Sequence, residues 1–221
     1  MKILIIGASR GVGRELVRQC LAAGDQVTAT ARRPQDVAAL QQAGAQAFAL
    51  DVADATSAAG LAWRIDGAGF DQVWLVAGVY GPRTQGLESP SEADFDAVMH
   101  TNVLGAMRVL PQLADALAPG ARVAVLSSRM GSIGSRTATA GWLYRASKAA
   151  LNSVLKDVSL AWAGHATCVA LHPGWVQTEM GGAQADLTPE RSAADLRRTV
   201  GALKPEQSGG FFDHDGTPIA W

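Results

Sequence analysis

The sequence of 221 residues lacks the features that mark several large protein classes. It has only two cysteines, Cys20 and Cys168, each among apolar neighbours with no second cysteine nearby. A disulfide framework or a zinc site built from cysteine pairs needs more. Buried, reduced thiols are expected, which suits the cytoplasm. There is no basic excess. Nineteen Lys and Arg stand against twenty Asp and Glu, a formal net charge of -1. Basic pairs such as Arg32-Arg33 and Arg197-Arg198 are too short to change that, so neither nucleic acid nor an anionic membrane is an expected partner. His100, His165, His172 and His214 have no metal-like spacing, and no metal is expected. Only four apolar residues follow Met1-Lys2 before Gly7, too few for a signal peptide. Residues 158–178 contain no Asp, Glu, Lys or Arg and are long enough to suggest a membrane span. Gly164, Pro173 and Gly174 within them argue instead for a helix end, a buried strand and a loop.

What is present fits a globular core, with 48% hydrophobic and 18% charged residues. The length suits one large domain over 1–221. Short apolar runs alternate with longer helical patterns. Strands are predicted at 2–6, 26–31, 45–50, 72–76, 122–127 and 167–171, with a last short one starting at 211–212. Helices are predicted at 11–23, 34–43, 55–65, 144–162 and near 92–102, 104–117 and 189–203. Strands such as KILII, VWLV and RVAVL are apolar at consecutive positions, as in a parallel sheet covered on both faces. The predicted fold is therefore α/β: a doubly wound, Rossmann-like parallel sheet of about seven strands in three layers. Ligands in such sheets bind beyond the carboxyl ends of the strands.

After the first strand comes Gly7-Ala8-Ser9-Arg10-Gly11-Val12-Gly13 and then a helix. Glycines allow a tight turn and close backbone approach, and the helix start presents N–H groups and a positive dipole end to phosphate. The same glycines can serve packing alone, but their place in the first βαβ unit favours a dinucleotide. Strand two ends Thr30-Ala31-Arg32-Arg33, with no acid to hold a ribose hydroxyl. Arg32, Arg33 and Arg10 suit a 2′-phosphate, so NADP(H) is expected in preference to NAD(H), which stays possible.

Tyr144 and Lys148 are four residues apart at a helix start and project on one face. A lysine ammonium about 4 Å away supplies roughly 4 kcal/mol at an effective dielectric of ~20, which, before desolvation works against it and with the positive nicotinamide of an oxidised cofactor beside it, brings a phenol within reach of neutral-pH proton exchange. Ser128, in Ser127-Ser128-Arg129-Met130-Gly131, ends the preceding strand and can hold a carbonyl. Turn formation is the plainer reading of both serines.

The glycine loop, the serine and the Tyr-x-x-x-Lys pair, in this order, resemble the short-chain dehydrogenase/reductase family over essentially the whole chain. The resemblance implies that Ser128 polarises a substrate carbonyl, Tyr144 is general acid or base, and Lys148 also holds the nicotinamide ribose. It implies an adenine contact at Asp51-Val52 and a strand-end contact at Ala77-Gly78. Asn102 would support a proton relay through water to Lys148. Pro173, Gly174, Val176 and Thr178 would receive the nicotinamide end. Ser-Ser-Arg-Met-Gly-Ser-Ile and Gly-Trp-Val-Gln-Thr-Glu-Met-Gly-Gly resemble the C-factor (C-signal) branch, which includes small carbonyl reductases. Two functions follow: carbonyl–alcohol interconversion, or a dinucleotide-binding signalling or regulatory protein. A homodimer or homotetramer is the family's expectation. Val76 and Ile6 replace the family's usual Asn and Thr, and the segment from Ser128 to Tyr144 is about three residues longer than usual. Tyr80, Trp142, Trp175 and Met180 flank the expected cleft or cap the core. Trp221 packs at a subunit contact or at the cleft mouth.

Overall fold

In the computed structural model, which describes all 221 residues, one seven-stranded parallel sheet runs through the molecule. Its strands are β1 (Lys2–Ile6), β2 (Gln26–Ala31), β3 (Gln46–Ala49), β4 (Phe70–Leu75), β5 (Leu117–Leu126), β6 (Ala166–His172) and β7 (Phe211–Asp213), in the order β3-β2-β1-β4-β5-β6-β7. The consecutive apolar residues are explained by the two faces. Ile3 and Ile5 enter one core with Trp74, Ala124, Leu126, Val169 and Leu171. Leu4 and Ile6 enter the other with Val73, Leu75, Val123, Val125 and Ala170. Because side chains alternate along a strand, only a strand apolar at every position can feed both cores. Each fully buried Ile or Leu contributes roughly 1.5–3 kcal/mol.

Helices α1 (Gly11–Ala22), α2 (Pro34–Gln42) and α8 (Pro189–Ala202) cover the first face. The second is covered by α3 (Ala55–Ala59), α4 (Leu61–Ile65), α5 (Glu92–Met99), α6 (Gly105–Val109) and α7 (Trp142–Ala161). Cys20 and Cys168 are free, lie in different cores, and have thiols pushed up by burial to about 11 and about 12. No helix is long and apolar enough to cross a membrane, and residues 158–178 form the end of α7, β6 and a loop.

Three elements differ from expectation. The helix predicted over 55–65 is broken at Gly60, which caps α3 and starts α4. The two helices expected between 92 and 117 form one helical run with mixed pitch: α5, a π-helical turn at His100–Leu104, α6, and a 3₁₀ segment at Leu110–Ala116. Strand β5 begins at Leu117, not 122. Leu117 pairs with Phe70 and Arg122 with Gln72, and the residues between, including Gly120 at φ +76°, bulge out. Helix starts follow local chemistry: Ser91 Oγ accepts from Asp94 N–H at 3.1 Å, and Thr188 Oγ1 accepts from Arg191 N–H at 3.3 Å before Pro189.

Candidate active site

The carboxyl ends of β1 to β6 open onto a cleft of about 890 Å³. At one end the turn after β1 is shaped by glycine. Gly7 has φ +93°, and a Cβ there would lie 2.6 Å from Ala77 N. A Cβ on Gly13 would lie 2.4 Å from Gly7 O and 3.2 Å from Val76 Cγ1. The backbone thus folds back on itself too closely for any side chain. No side chain caps α1, so its first N–H groups are left for a ligand. That uncapped helix start in a glycine-only cradle fits a pyrophosphate. Gly13→Ala is expected to cost about 1–3 kcal/mol through overpacking, read as a lower Tm.

Both departures from the usual motif are compensated. Where a threonine at position 6 is missing, Gly7 N–H donates to Thr30 Oγ1 at 3.2 Å. With valine at 76, backbone bonds tie the strands: Val76 N–H and Ala77 N–H both donate to Ile6 O, at 2.9 and 3.0 Å.

Ser9, Arg10, Gly11, Val12, Arg32, Asp51, Val52, Ala77 and Gly78 line this end of the cleft. Arg10 is ion-paired with Glu179, and no carboxylate pairs with Arg32. Arg33 does not reach the cleft. It precedes α2 and binds Asp36 through Nε at 2.8 Å and Nη2 at 3.0 Å. Adjacent side chains leaving a strand end point to opposite sides, which separates the two arginines. Gly13 lies beneath the lining.

At the other end Ser128, Tyr144 and Lys148 come together, with Pro173, Gly174, Val176 and Thr178 beside them. All three reactive side chains are buried. Ser128 follows β5, accepts from Met130 N–H at 3.1 Å, and stands near enough to the Tyr144 phenol to lower its pKa. Its neighbour Ser127 instead donates to Asn152 at 2.5 Å, which separates the two serines' roles. Lys148 Nζ donates to Leu126 O at 2.8 Å and stands 5.7 Å from the Tyr144 ring centre. Asn102 sits behind the cleft in the π turn. Its Oδ1 accepts from Val79 N–H at 2.8 Å, and its Nδ2 donates to Val79 O at 2.8 Å and Ser147 Oγ at 2.9 Å. Over Gly78 two atoms converge: a Cβ there would lie 3.2 Å from Asn102 Oδ1 and 3.3 Å from Lys148 Nζ.

The electrostatics depart from the sequence expectation. Burial pushes the Tyr144 phenol well above its usual value, against a lowering contribution from Ser128 and with a further rise from Tyr80. Burial also pushes Lys148 down to about 8. Lowering of the phenol by Lys148 is the sequence expectation, whereas burial governs the phenol in the fold. Tyr80 stacks on Tyr144 with ring centres 4.6 Å apart and planes 24° apart, covering one face of the buried ring.

Tyr80, Trp175 and Met180 line the cleft. Trp142 does not, because its indole donates to Glu88 O at 2.9 Å. Trp221 stacks on Phe211, and its carbonyl accepts from Gly134 N–H at 2.8 Å. The chain end thereby holds the long segment between Ser128 and Tyr144, whose Ser135 and Thr137 also line the cleft. Arg83, Arg145, Thr101 and His172 line it too, and sequence reasoning missed them. Position was the signal for Arg83 in the loop after β4, His172 at the end of β6 and Arg145 beside Tyr144; Thr101, in the π turn, had none. His172 is pushed down to about 4 by burial against a rise from Asp213, and stands neutral.

This geometry can be set beside known proteins. A family model for short chain dehydrogenases matches residues 1–187. The chain belongs to the short-chain dehydrogenase/reductase family. It is an oxidoreductase of the kind that acts on CH–OH or C=O groups with a nicotinamide dinucleotide. Among its relatives is the C-signal of Myxococcus xanthus, 39% identical over 161 residues that cover 71% of this chain and 90% of that one. A short-chain dehydrogenase/reductase from Burkholderia multivorans, solved with bound NADP, superposes with a TM-score of 0.90 at 31% identity and covers 100% of this chain and 99% of its own. The carbonyl reductase Sniffer of Drosophila melanogaster does so with a TM-score of 0.88 at 29% identity, again covering 100% and 99%.

Proposed function

We propose that the protein is an NADP(H)-dependent oxidoreductase interconverting a carbonyl and an alcohol, with Tyr144 as the proton carrier. The observation that carries this reading is the convergence of Ser128, Tyr144 and Lys148 at one end of a cleft whose other end is a glycine cradle with Arg10 and Arg32. NADP bound to the Burkholderia relative and the carbonyl reductase activity in the name of the Drosophila one support it. The cofactor supplies or accepts the hydride. Ser128 Oγ donates to the carbonyl oxygen and fixes its approach. Tyr144 gives its proton to that oxygen as negative charge develops there, and takes it back in the reverse direction. The Lys148 ammonium stabilises the phenolate left behind and would hold the nicotinamide ribose. Asn102 is a positioning residue that clamps Val79 and the start of α7. Its Oδ1 shares the space over Gly78 with Lys148 Nζ, where a proton path from Lys148 to water would run.

Consumption of NADPH with a panel of aldehydes, ketones and quinones tests the activity. Turnover is expected, and its absence across the panel overturns the reading. Arg10 and Arg32 imply a preference for NADPH. Arg32→Ala is expected to raise KM for NADPH roughly tenfold or more, the scale of one charge-assisted hydrogen bond, with a much smaller effect on NADH. A wild-type preference for NADH overturns that assignment.

The similarity to C-signal favours a second reading, a dinucleotide-binding signalling protein. It differs in needing cofactor binding without turnover. A biological phenotype that survives Tyr144→Phe but is lost on replacing Gly11 would support it.

A further inference from the structure

The reactive phenol lies beneath a layered arrangement. Tyr80 stacks on Tyr144, and the Arg83 guanidinium stands 5.1 Å from the Tyr80 ring centre. Arg83 therefore sits one ring layer beyond the proposed proton carrier. Its Nη2 donates to Met180 O at 2.6 Å, so the side chain spans from the loop after β4 to the loop after β6, over the cleft. A second guanidinium approaches from α7. Arg145 follows Tyr144 directly, and its Nε donates to Ala140 O at 2.9 Å. The two arginine-bearing segments are joined: Gly141 N–H donates to Thr84 O at 2.9 Å, and a Cβ on Gly141 would lie 2.4 Å from the Tyr80 hydroxyl.

Charge around this end is one-sided. The lining carboxylates are Asp51 and Glu179. Asp51 belongs to the end expected to take adenine, and Glu179 is paired with Arg10. Arg129, the other arginine here, is paired with Asp213. Arg83 and Arg145 face the cleft with no carboxylate partner, and the structure leaves Nη groups on both free to donate. Two planar guanidinium forks at one end of the cleft match a carboxylate carried by a short substrate.

We infer that the substrate is an anionic carbonyl compound whose carboxylate is held by Arg83 and Arg145 while its carbonyl reaches Tyr144. This deepens the reductase reading and rests on it. Arg83 and Arg145 are then specificity-determining residues, and Tyr80, stacked on Tyr144, carries the Arg83 guanidinium.

A matched pair of probes separates the two ideas: 4-carboxybenzaldehyde and methyl 4-formylbenzoate, each with NADPH. The ester withdraws more electron density, so intrinsic reactivity favours it. The protein is expected to reverse that order, with kcat/KM for the acid at least roughly tenfold higher. In Arg83→Gln, Arg145→Gln and the double variant the ratio should collapse toward one, mainly through KM for the acid. Arg83→Lys, which keeps charge without the fork, should recover part of it. If the wild type turns over the ester as well as the acid, or if the ratio survives the double variant, anion recognition is overturned while the reductase reading stands. If neither aldehyde is reduced while other carbonyls of the panel are, anion recognition falls and the reductase reading stands; if the whole panel fails, both fall.

Discussion

Tyr144→Phe is expected to lower kcat by about 10²–10⁴-fold, the range that a positioned proton donor contributes. The loss should appear in kcat and in kcat/KM alike, because a proton handed over only in the transition state does nothing for ground-state binding. Binding of NADPH should persist, since the glycine cradle and arginines at the far end are untouched. Stability should change little. The side chain is buried, and the ring remains to stack on Tyr80 at 4.6 Å. Steady-state rates beside a thermal melt and a cofactor titration read all three. A variant that keeps its rate would remove Tyr144 from the mechanism.

Lys148→Met is expected to show the opposite sign in activity and stability. Lys148 is buried, and its folded pKa is pushed down to about 8 from 10.5. Between those values the unfolded chain binds more protons than the folded one, so stability rises with pH through this window. Below about pH 8 the full cost of burying the ammonium is present, on the order of 3 kcal/mol. Methionine removes that cost, offset in part by loss of the bond to Leu126 O. At pH 7 the variant should melt higher than the parent, and its stability should lack the rise between pH 8 and 10.5. Its carbonyl reduction should nonetheless fall by two orders of magnitude or more. In the parent, kcat/KM for reduction should decline as pH rises through about 8 and the ammonium is lost. A variant that melts lower at pH 7 would contradict this account of Lys148.

How much of this was legible in the sequence depends on distance along the chain. The glycine loop and the Tyr144–Lys148 pair are local patterns, and each falls on the element expected of it. The strands were legible because residues such as Ile3 and Leu4 must feed cores on opposite faces. The π turn at His100–Leu104 was not, since one widened turn leaves the apolar spacing almost unchanged. The early start of β5 was hidden because Pro119 and Gly120 look like a loop and are in fact a bulge. Arg32 and Arg33 looked equivalent, and only the direction of each side chain gives one to the cleft and the other to Asp36. The raised pKa of Tyr144 was misjudged for a related reason. It depends first on burial by residues brought in from elsewhere in the chain, among them Tyr80, which stacks on the ring.

The sheet order has a consequence for how the molecule comes to exist. Strand β1 lies between β2 and β4, and Ile6 pairs with Thr30 on one side and Leu75 on the other. Every pairing in the sheet is parallel, so no adjacent strands can zip together as a hairpin, and loop-closure entropy must be met before contacts form. The cradle at Gly7 is complete only once Ala77 has arrived from β4. Affinity for a dinucleotide is therefore expected to follow the docking of β4 against β1 and to lag behind the recovery of helix.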